Sequence, residues 1–210
     1  MFLLYAIVGG LLVGRLSGGR FSNLAALDFR WPYLAILGLI VQIILFADPV
    51  AERVGAAGPP IYVASTAVVF AAVLRNIRIP GLWVVALGAA SNLAAIVANG
   101  GYMPTTLDAR GAIGKGVIGG TYTNSALIEH PNLQPLTDIF SLPDWLPATN
   151  VFSIGDVLIA LGVAVTIVLV MRRDVPIHGS DVGSTDRPGP ARSIEAGGAD
   201  GKLPQPTAGD

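Results

Sequence analysis

The feature that most constrains this chain is the stretch Asn150 to Met171, NVFSIGDVLIALGVAVTIVLVM. It opens as a polar, glycine-containing turn and continues as an apolar run of about twenty residues, enough for a helix to cross a bilayer core. A single carboxylate, Asp156, sits near its start, where a charge needs a partner or the membrane interface. Everything upstream has to supply either further spans or the long segment that lands on this junction.

Composition agrees. Of the 210 residues, 52% are hydrophobic and 13% charged, where soluble domains carry about 25% charged residues. A mean hydropathy of +0.64 points the same way, to a polytopic membrane protein. The formal net charge of -1 provides no basic surface for nucleic acid. Without cysteine, disulfides, thiol catalysis, iron–sulfur clusters and cysteine zinc sites are all excluded. His130 and His178 are too few for a multi-histidine metal site, and no cofactor is implied.

Four more apolar segments precede the last one. Met1 to Leu16 lacks the basic start and small-residue cleavage signal of a removable leader, so it reads as a first span. Its Ala6, Gly10, Gly14 and Gly18 form a small-residue stripe for close helix packing. Trp31–Pro32 opens the second span and Asp48–Pro49 closes it. Pro59–Pro60 opens the third, since proline fits a first helical turn. Ile79–Pro80 opens the fourth, which carries a second stripe at Ala86, Ala90, Ala94 and Ala98 and stops at Asn99–Gly100–Gly101.

Arg15, Arg20, Arg30, Arg75, Arg78, Arg172 and Arg173 fall on one set of flanks, and Arg53, Arg110 and Lys115 on the other. The larger set marks the cytoplasmic side. Trp31 and Trp83 then lie at the inner interface, with Tyr62, Tyr102 and Trp145 at the outer one. The expected fold is an all-α membrane protein of five transmembrane helices, N-terminus outside and C-terminus cytoplasmic, with a long outer loop. Spans at about 2–16, 32–47, 60–75, 79–98 and 152–171 make a membrane domain over 1–172, with an outer loop at 99–150. Residues 173–210 are rich in Pro, Gly, Ser and Asp and are expected to be a disordered cytoplasmic tail.

Taking a rise of about 1.5 Å per helical residue, the polar positions within the spans gather in the outer half, with Thr166 as the exception. These are Gln42, Ser65, Thr66, Ser91, Asn92, Asn99 and Asp156. Asn92, Ala95 and Asn99 share one helix face. The ordinary reading of the amides and hydroxyls is interhelical hydrogen bonding. For Asp156 it is a capping box, because Ser153-Ile-Gly-Asp156 has the S-x-x-[DE] spacing. His130 reads first as a loop residue. Gly114-Lys-Gly-Val-Ile-Gly119 matches a nucleotide-binding pattern, but no strand precedes it and the predicted outer location takes it away from nucleotides.

The motifs NGGYMP (Asn99 to Pro104), the His130…Asp138 segment and NVFSIGDV (Asn150 to Val157) together resemble a family of small bacterial membrane proteins. It is catalogued as domain of unknown function fifty-three seventeen, and the resemblance implies a plasma-membrane protein without implying an activity. A weaker similarity is to lipoprotein signal peptidase, a multi-span aspartyl peptidase. Phe152-Ser-Ile-Gly-Asp156 aligns with the motif that opens that family's last span, and Thr137-Asp138-Ile-Phe140 with its Asp-Phe segment. The other catalytic aspartate would fall on Ala95.

Two functions therefore stay open. One is a non-enzymatic pocket under the outer loop that takes a lipid-like or peptide ligand or a partner membrane helix, with Asn92, Asn99, His130, Asn150, Ser153 and Asp156 as ligand-binding candidates. The other is an aspartyl peptidase with Asp156 and Asp138 as the catalytic pair, since such hydrolysis needs two carboxylates sharing a proton. A coupled transporter is disfavoured by the single intramembrane carboxylate and the lack of an inverted repeat.

Overall fold

A computed structural model describes residues 2–105, 125–141 and 151–173. The chain divides into two units, Met1–Val175 and Pro176–Asp210, and the second holds none of the described residues. The expected tail, the glycine motif at 114–119, Asn150 and Trp145 all lie outside them.

Seven helices occur in the described part of the first unit: α1 (Phe2–Leu16), α2 (Phe21–Ala25), α3 (Pro32–Leu45), α4 (Asp48–Ala51), α5 (Gly58–Arg75), α6 (Leu82–Ala98) and α7 (Ile154–Met171). The two-residue to three-residue strands are β1 (Met103–Thr105), β2 (Ser125–Leu127), β3 (Phe140–Ser141) and β4 (Val151–Phe152). β1 pairs with β2 in parallel, and β3 with β4 antiparallel. The protein is thus mostly helical with no closed sheet among the described residues, in keeping with the helical expectation, and these short pairings are added to it. They satisfy backbone groups of the segment that covers the ends of α6 and α7, groups that would otherwise be buried without partners.

Local chemistry explains most helix boundaries. Pro32 and the Pro59–Pro60 pair sit in the first turns of α3 and α5. α6 begins at Leu82, three residues after the expected start. The Ile79–Pro80–Gly81 turn has to finish first, and Gly81 caps the helix with a φ of 87° that a side chain would resist. Its other end is closed by Gly100 and Gly101, at φ 70° and 89°, with the Gly101 N–H donating to Ile96 O at 2.8 Å. α3 stops at Leu45 rather than position 47, and α7 starts at Ile154 because Ser153 is its N-cap.

The helices are joined side to side in the order α1, α7, α6, α5, α3. α7 is drawn tight on both flanks. On one side Gly10 and Gly14 of the predicted α1 stripe face Ala164 and Met171. On the other, Gly88 of α6 lies against Gly155 and Ile159, while Gly162 of α7 lies against Val85. The seam on α6 therefore runs through Val85, Gly88 and Asn92 at helical spacing. The alanine stripe is not that seam, and its Ala94 is exposed.

Two apolar clusters result. One joins Leu45, Tyr62, Ala95, Ile96 and Met103; the other joins Val73, Ile79, Leu82, Val85, Ala86 and Val170. Much apolar surface remains outside. Ile36, Leu37, Leu39, Ile40, Ile43 and Ile44 of α3 are each at least 44% exposed, an extent of open hydrocarbon that a water-facing helix avoids. Two helices, Gly55–Arg75 and Ile154–Met171, are long and apolar enough to cross a membrane. α1, α3 and α6 are shorter apolar helices.

Candidate functional site

The start of α7 is built as the Ser153-x-x-Asp156 spacing requires. Ser153 takes an extended backbone, and its Oγ accepts the Asp156 N–H at 3.1 Å. In return the Ser153 N–H donates to Asp156 Oδ2 at 3.1 Å. Both halves of the capping box are present, which accounts locally for the carboxylate.

Asn92 turns the cap into a link between helices. Its Nδ2 donates to Asp156 Oδ1 at 2.8 Å, and its Oδ1 accepts from Ser153 Oγ at 2.9 Å. Asn92, Ser153 and Asp156 thus form a closed ring, with the Ser153–Asp156 side made by the backbone N–H groups of the capping box. Gly155 makes the approach feasible, since a Cβ at that position would collide with Asn92 Oδ1.

Beside this ring is a cavity of about 250 Å³, between α3, α5, α6 and α7 and beneath the β1 segment. Gln42, Thr66, Asn92, Asp138 and Asp156 bring polar atoms to its wall, and Tyr62, Phe70, Ile96, Met103 and Ile159 are among its less polar lining. Gln42 Nε2 donates to Thr66 Oγ1 at 3.3 Å, and Thr66 Oγ1 donates to Tyr62 O at 2.8 Å. Asp138 enters from above. Its N–H donates to Pro104 O at 2.9 Å, its carbonyl accepts from Thr105 Oγ1 at 3.1 Å, and the residue is 6% exposed. The charged residues on the cavity wall are two carboxylates, with no lysine, arginine or histidine among the described lining.

The candidate residues separate into groups. Asn92, Asp156 and Asp138 meet at the cavity; Ser153 is fully buried beneath it, in the ring. Asn99 is elsewhere: its Nδ2 donates to Asn132 O at 2.9 Å and its Oδ1 accepts the Asn132 N–H at 2.8 Å. With Asn132 Nδ2 donating to Ala98 O, this clamp ties the loop to the end of α6. His130 is exposed and does not line the cavity. The structure thus places Asn99 and His130 at the loop rather than on the cavity wall, Asn99 through its clamp to Asn132. Asn150 lies outside the described residues.

Tyr62 is turned inward. Expected at an interface, it is 8% exposed and packs edge-on against Phe46 with ring centroids 5.1 Å apart. An aromatic one turn after a proline pair carries no sequence mark to tell core from belt. Thr166, the polar exception, is 9% exposed and packs against Gly81, and its hydroxyl has no hydrogen-bond partner among the described residues.

A family model described as "Family of unknown function (DUF5317)" matches residues 26–168, more than half of the chain and all of the site above. No curated protein and no solved structure matches.

Proposed function

The chain belongs to the DUF5317 family of unknown function, and from that premise we propose a five-pass plasma-membrane protein of bacterial type that binds a ligand rather than transforms one. α1, α3, α5, α6 and α7 are its spans, with the N-terminus outside and the arginine-rich ends in the cytoplasm. Two helices of spanning length, and a further three with apolar faces left uncovered by the protein, support this reading. On that threading the cavity lies in the outer half of the bilayer, with the β1 segment as its roof. The residues to 172 then form the membrane domain, and 173–210 the cytoplasmic tail.

The observation that carries the proposal is the cavity's described lining: two carboxylates, two amides and the hydroxyl-bearing Thr66 and Tyr62 among apolar residues. Two carboxylates on a described lining that holds no lysine, arginine or histidine make the wall negative, which favours a ligand bearing an ammonium or several N–H donors. The α5–α6 seam is the loosest of the helix contacts around the cavity, so an apolar tail can enter there from the lipid. A lipid-like amine or a peptide N-terminus with an apolar side chain fits both ends of the site. A partner membrane helix fits the exposed face of α3, though it would not use the carboxylates.

The test uses a chain that has no cysteine of its own. Thr66→Cys places one thiol on the cavity wall. Dodecylamine should slow its reaction with a small methanethiosulfonate reagent, whereas dodecanol at equal concentration should not. Equal protection by both, or by neither, refutes a cation-selective pocket.

One observation favours a second reading, an aspartyl peptidase: Asp138 and Asp156 line the same cavity. Against it, both Asp156 oxygens already accept hydrogen bonds, from Asn92 and from the Ser153 N–H. A catalytic pair has to share its proton and hold a water, and a carboxylate committed to a helix cap is poorly placed to do either. Proteolysis abolished equally by Asp138→Asn and Asp156→Asn in folded protein would restore the enzyme.

A further inference from the structure

At the opposite end of the helices from the carboxylate cavity lies a second cavity of about 470 Å³, and its chemistry is reversed. Four arginines line it: Arg30 before α3, Arg75 and Arg78 at the end of α5, and Arg173 just after α7. Asp28 is the one carboxylate among the described residues of its wall. Among the described lining, four cations against one anion leave an excess of three positive charges around one opening. No carboxylate lies in salt-bridge contact with any of the four among the described residues.

Arginines at helix ends are what membrane orientation alone would produce. Their arrangement here goes further, because the segments that carry them are braced. Asn76 is 4% exposed and sits at the junction. Its Oδ1 accepts the Arg30 N–H at 2.7 Å, and its Nδ2 donates to Arg30 O and Ala72 O, both at 2.7 Å. One amide thus fixes the approach to α3 against the last turn of α5. Trp31, next to Arg30, is held at φ 60°, a backbone conformation uncommon for a bulky residue, and Arg75 lies over its ring at 5.7 Å. On the third side, Asn23 Nδ2 donates to Met171 O at 2.9 Å and to Arg173 O at 2.7 Å, holding the chain at Arg173. The cations are drawn from three separated parts of the sequence, and their backbones are braced by one buried amide, Asn76, and one partly exposed amide, Asn23.

We infer that this cavity is a binding site for a phosphate-bearing anion. Planar guanidinium forks match phosphate oxygens in pairs, and several of them around one opening suit a multiply charged group better than a single carboxylate. An anionic phospholipid headgroup and a free phosphate share this chemistry. The site is independent of the carboxylate cavity and of the function proposed for it.

The full chain, purified in a neutral detergent, separates the two sources. Cardiolipin in mixed micelles is titrated in one arm and inorganic pyrophosphate in the other, with thermal unfolding as the readout. Two triple variants are compared with the natural sequence: Arg30→Gln/Arg75→Gln/Arg78→Gln, and Arg15→Gln/Arg20→Gln/Arg172→Gln, which removes equal charge from the same end but outside the cavity. Stabilisation by cardiolipin alone identifies a headgroup site, and stabilisation by pyrophosphate a free-phosphate site. In either case the first triple variant should need roughly a hundredfold more ligand, the scale set by three arginines near an anionic group. The second should be almost unchanged. Should the first variant not fold, Arg78→Glu alone, at an exposed position, replaces it with the same expected direction. Equal weakening in both variants, or no stabilisation by either ligand, overturns the site.

Discussion

The ring of Asn92, Ser153 and Asp156 predicts an asymmetry that a simple helix cap would not show. Two donors converge on the Asp156 carboxylate: Asn92 Nδ2 on Oδ1 and the Ser153 N–H on Oδ2. Asp156→Asn keeps the shape but replaces one acceptor with an NH₂ group, which must face one of those donors. One hydrogen bond is lost. Pairs between membrane helices average about 0.6 kcal/mol and reach about 1.7 kcal/mol, whereas bonds to a charged acceptor in soluble proteins are worth about 1.5–3 kcal/mol. Asp156 is half-buried, so a value between these applies. Losing a negative charge in the first turn of α7 adds about 0.3–1 kcal/mol. Together the substitution should destabilise the protein by about 2 kcal/mol. Exchanging the partners repairs the pattern. In Asn92→Asp/Asp156→Asn, the amide introduced on α7 donates to the carboxylate introduced on α6 and still accepts the Ser153 N–H, while Ser153 Oγ donates to that same carboxylate. The double variant should recover about 1 kcal/mol relative to Asp156→Asn, the hydrogen-bond part but not all of the dipole part. Equilibrium unfolding in mixed detergent micelles measures both variants. A double variant no more stable than Asp156→Asn would show that the ring is not what joins α6 to α7.

Further expectations follow from the same contacts. At Gly88 a Cβ would lie 2.5 Å from Gly155 O and 2.8 Å from Ile159 N, both backbone atoms, so Gly88→Ala should cost about 1–3 kcal/mol as an overpacked seam; at Gly9, inside α1, a Cβ meets nothing within 4 Å, and Gly9→Ala should unfold at the same or a slightly higher temperature. Asn76→Ala removes three hydrogen bonds of 2.7 Å at a buried position and should lose about 3 kcal/mol, with faster trypsin cleavage after Arg30. Asn99→Ala opens the clamp to Asn132 and should expose residues 128–133 to protease while leaving the helical circular dichroism signal unchanged. For orientation, Glu129→Cys should react with an impermeant maleimide on intact cells and Ser22→Cys only after permeabilisation; the reverse pattern would invert the proposed threading.

The parts of this structure that were legible in the sequence are those written in local spacing. Ser153-x-x-Asp156 announces a capping box, and the box forms. The Gly10 and Gly14 spacing announces a packing stripe, and α7 sits on it. What could not be read depends on contacts between distant segments. The pairing of Met103 with Ser125 joins strands too short to show an alternating pattern. Small residues on α6 occupy more than one face, so the alanine period was as visible as the Val85–Gly88–Asn92 seam that is used. Asn99 and Asn92 share a helix face, yet one meets the loop and the other meets α7, because the loop's path over the helix end decides which partner is in reach. Asn76 followed the last turn of an apolar helix, a place where an amide passes for an ordinary helix end.

Close packing also accounts for where the carboxylate cavity is. Glycine brings α6 onto α7 at Gly88, Gly155 and Gly162, and brings α3 onto α5 at Gly38, where a Cβ would meet Val69 Cγ2 at 2.7 Å and Ser65 O at 3.0 Å. Each pair is tight within itself. The α5–α6 seam between the pairs is looser, and the cavity opens there, lined from α3 and α5 on one side and from α6 and α7 on the other. Its polar groups are held by the tight pairs: Asn92 and Asp156 by the α6–α7 ring, Gln42 and Thr66 by the α3–α5 contact. A ligand that enters this seam thus meets a wall already in place and has only to separate two helices that grip each other weakly. Preorganised acceptors beside a yielding entrance favour binding and release over a fixed reaction geometry, which is the physical reason for preferring a binding function here.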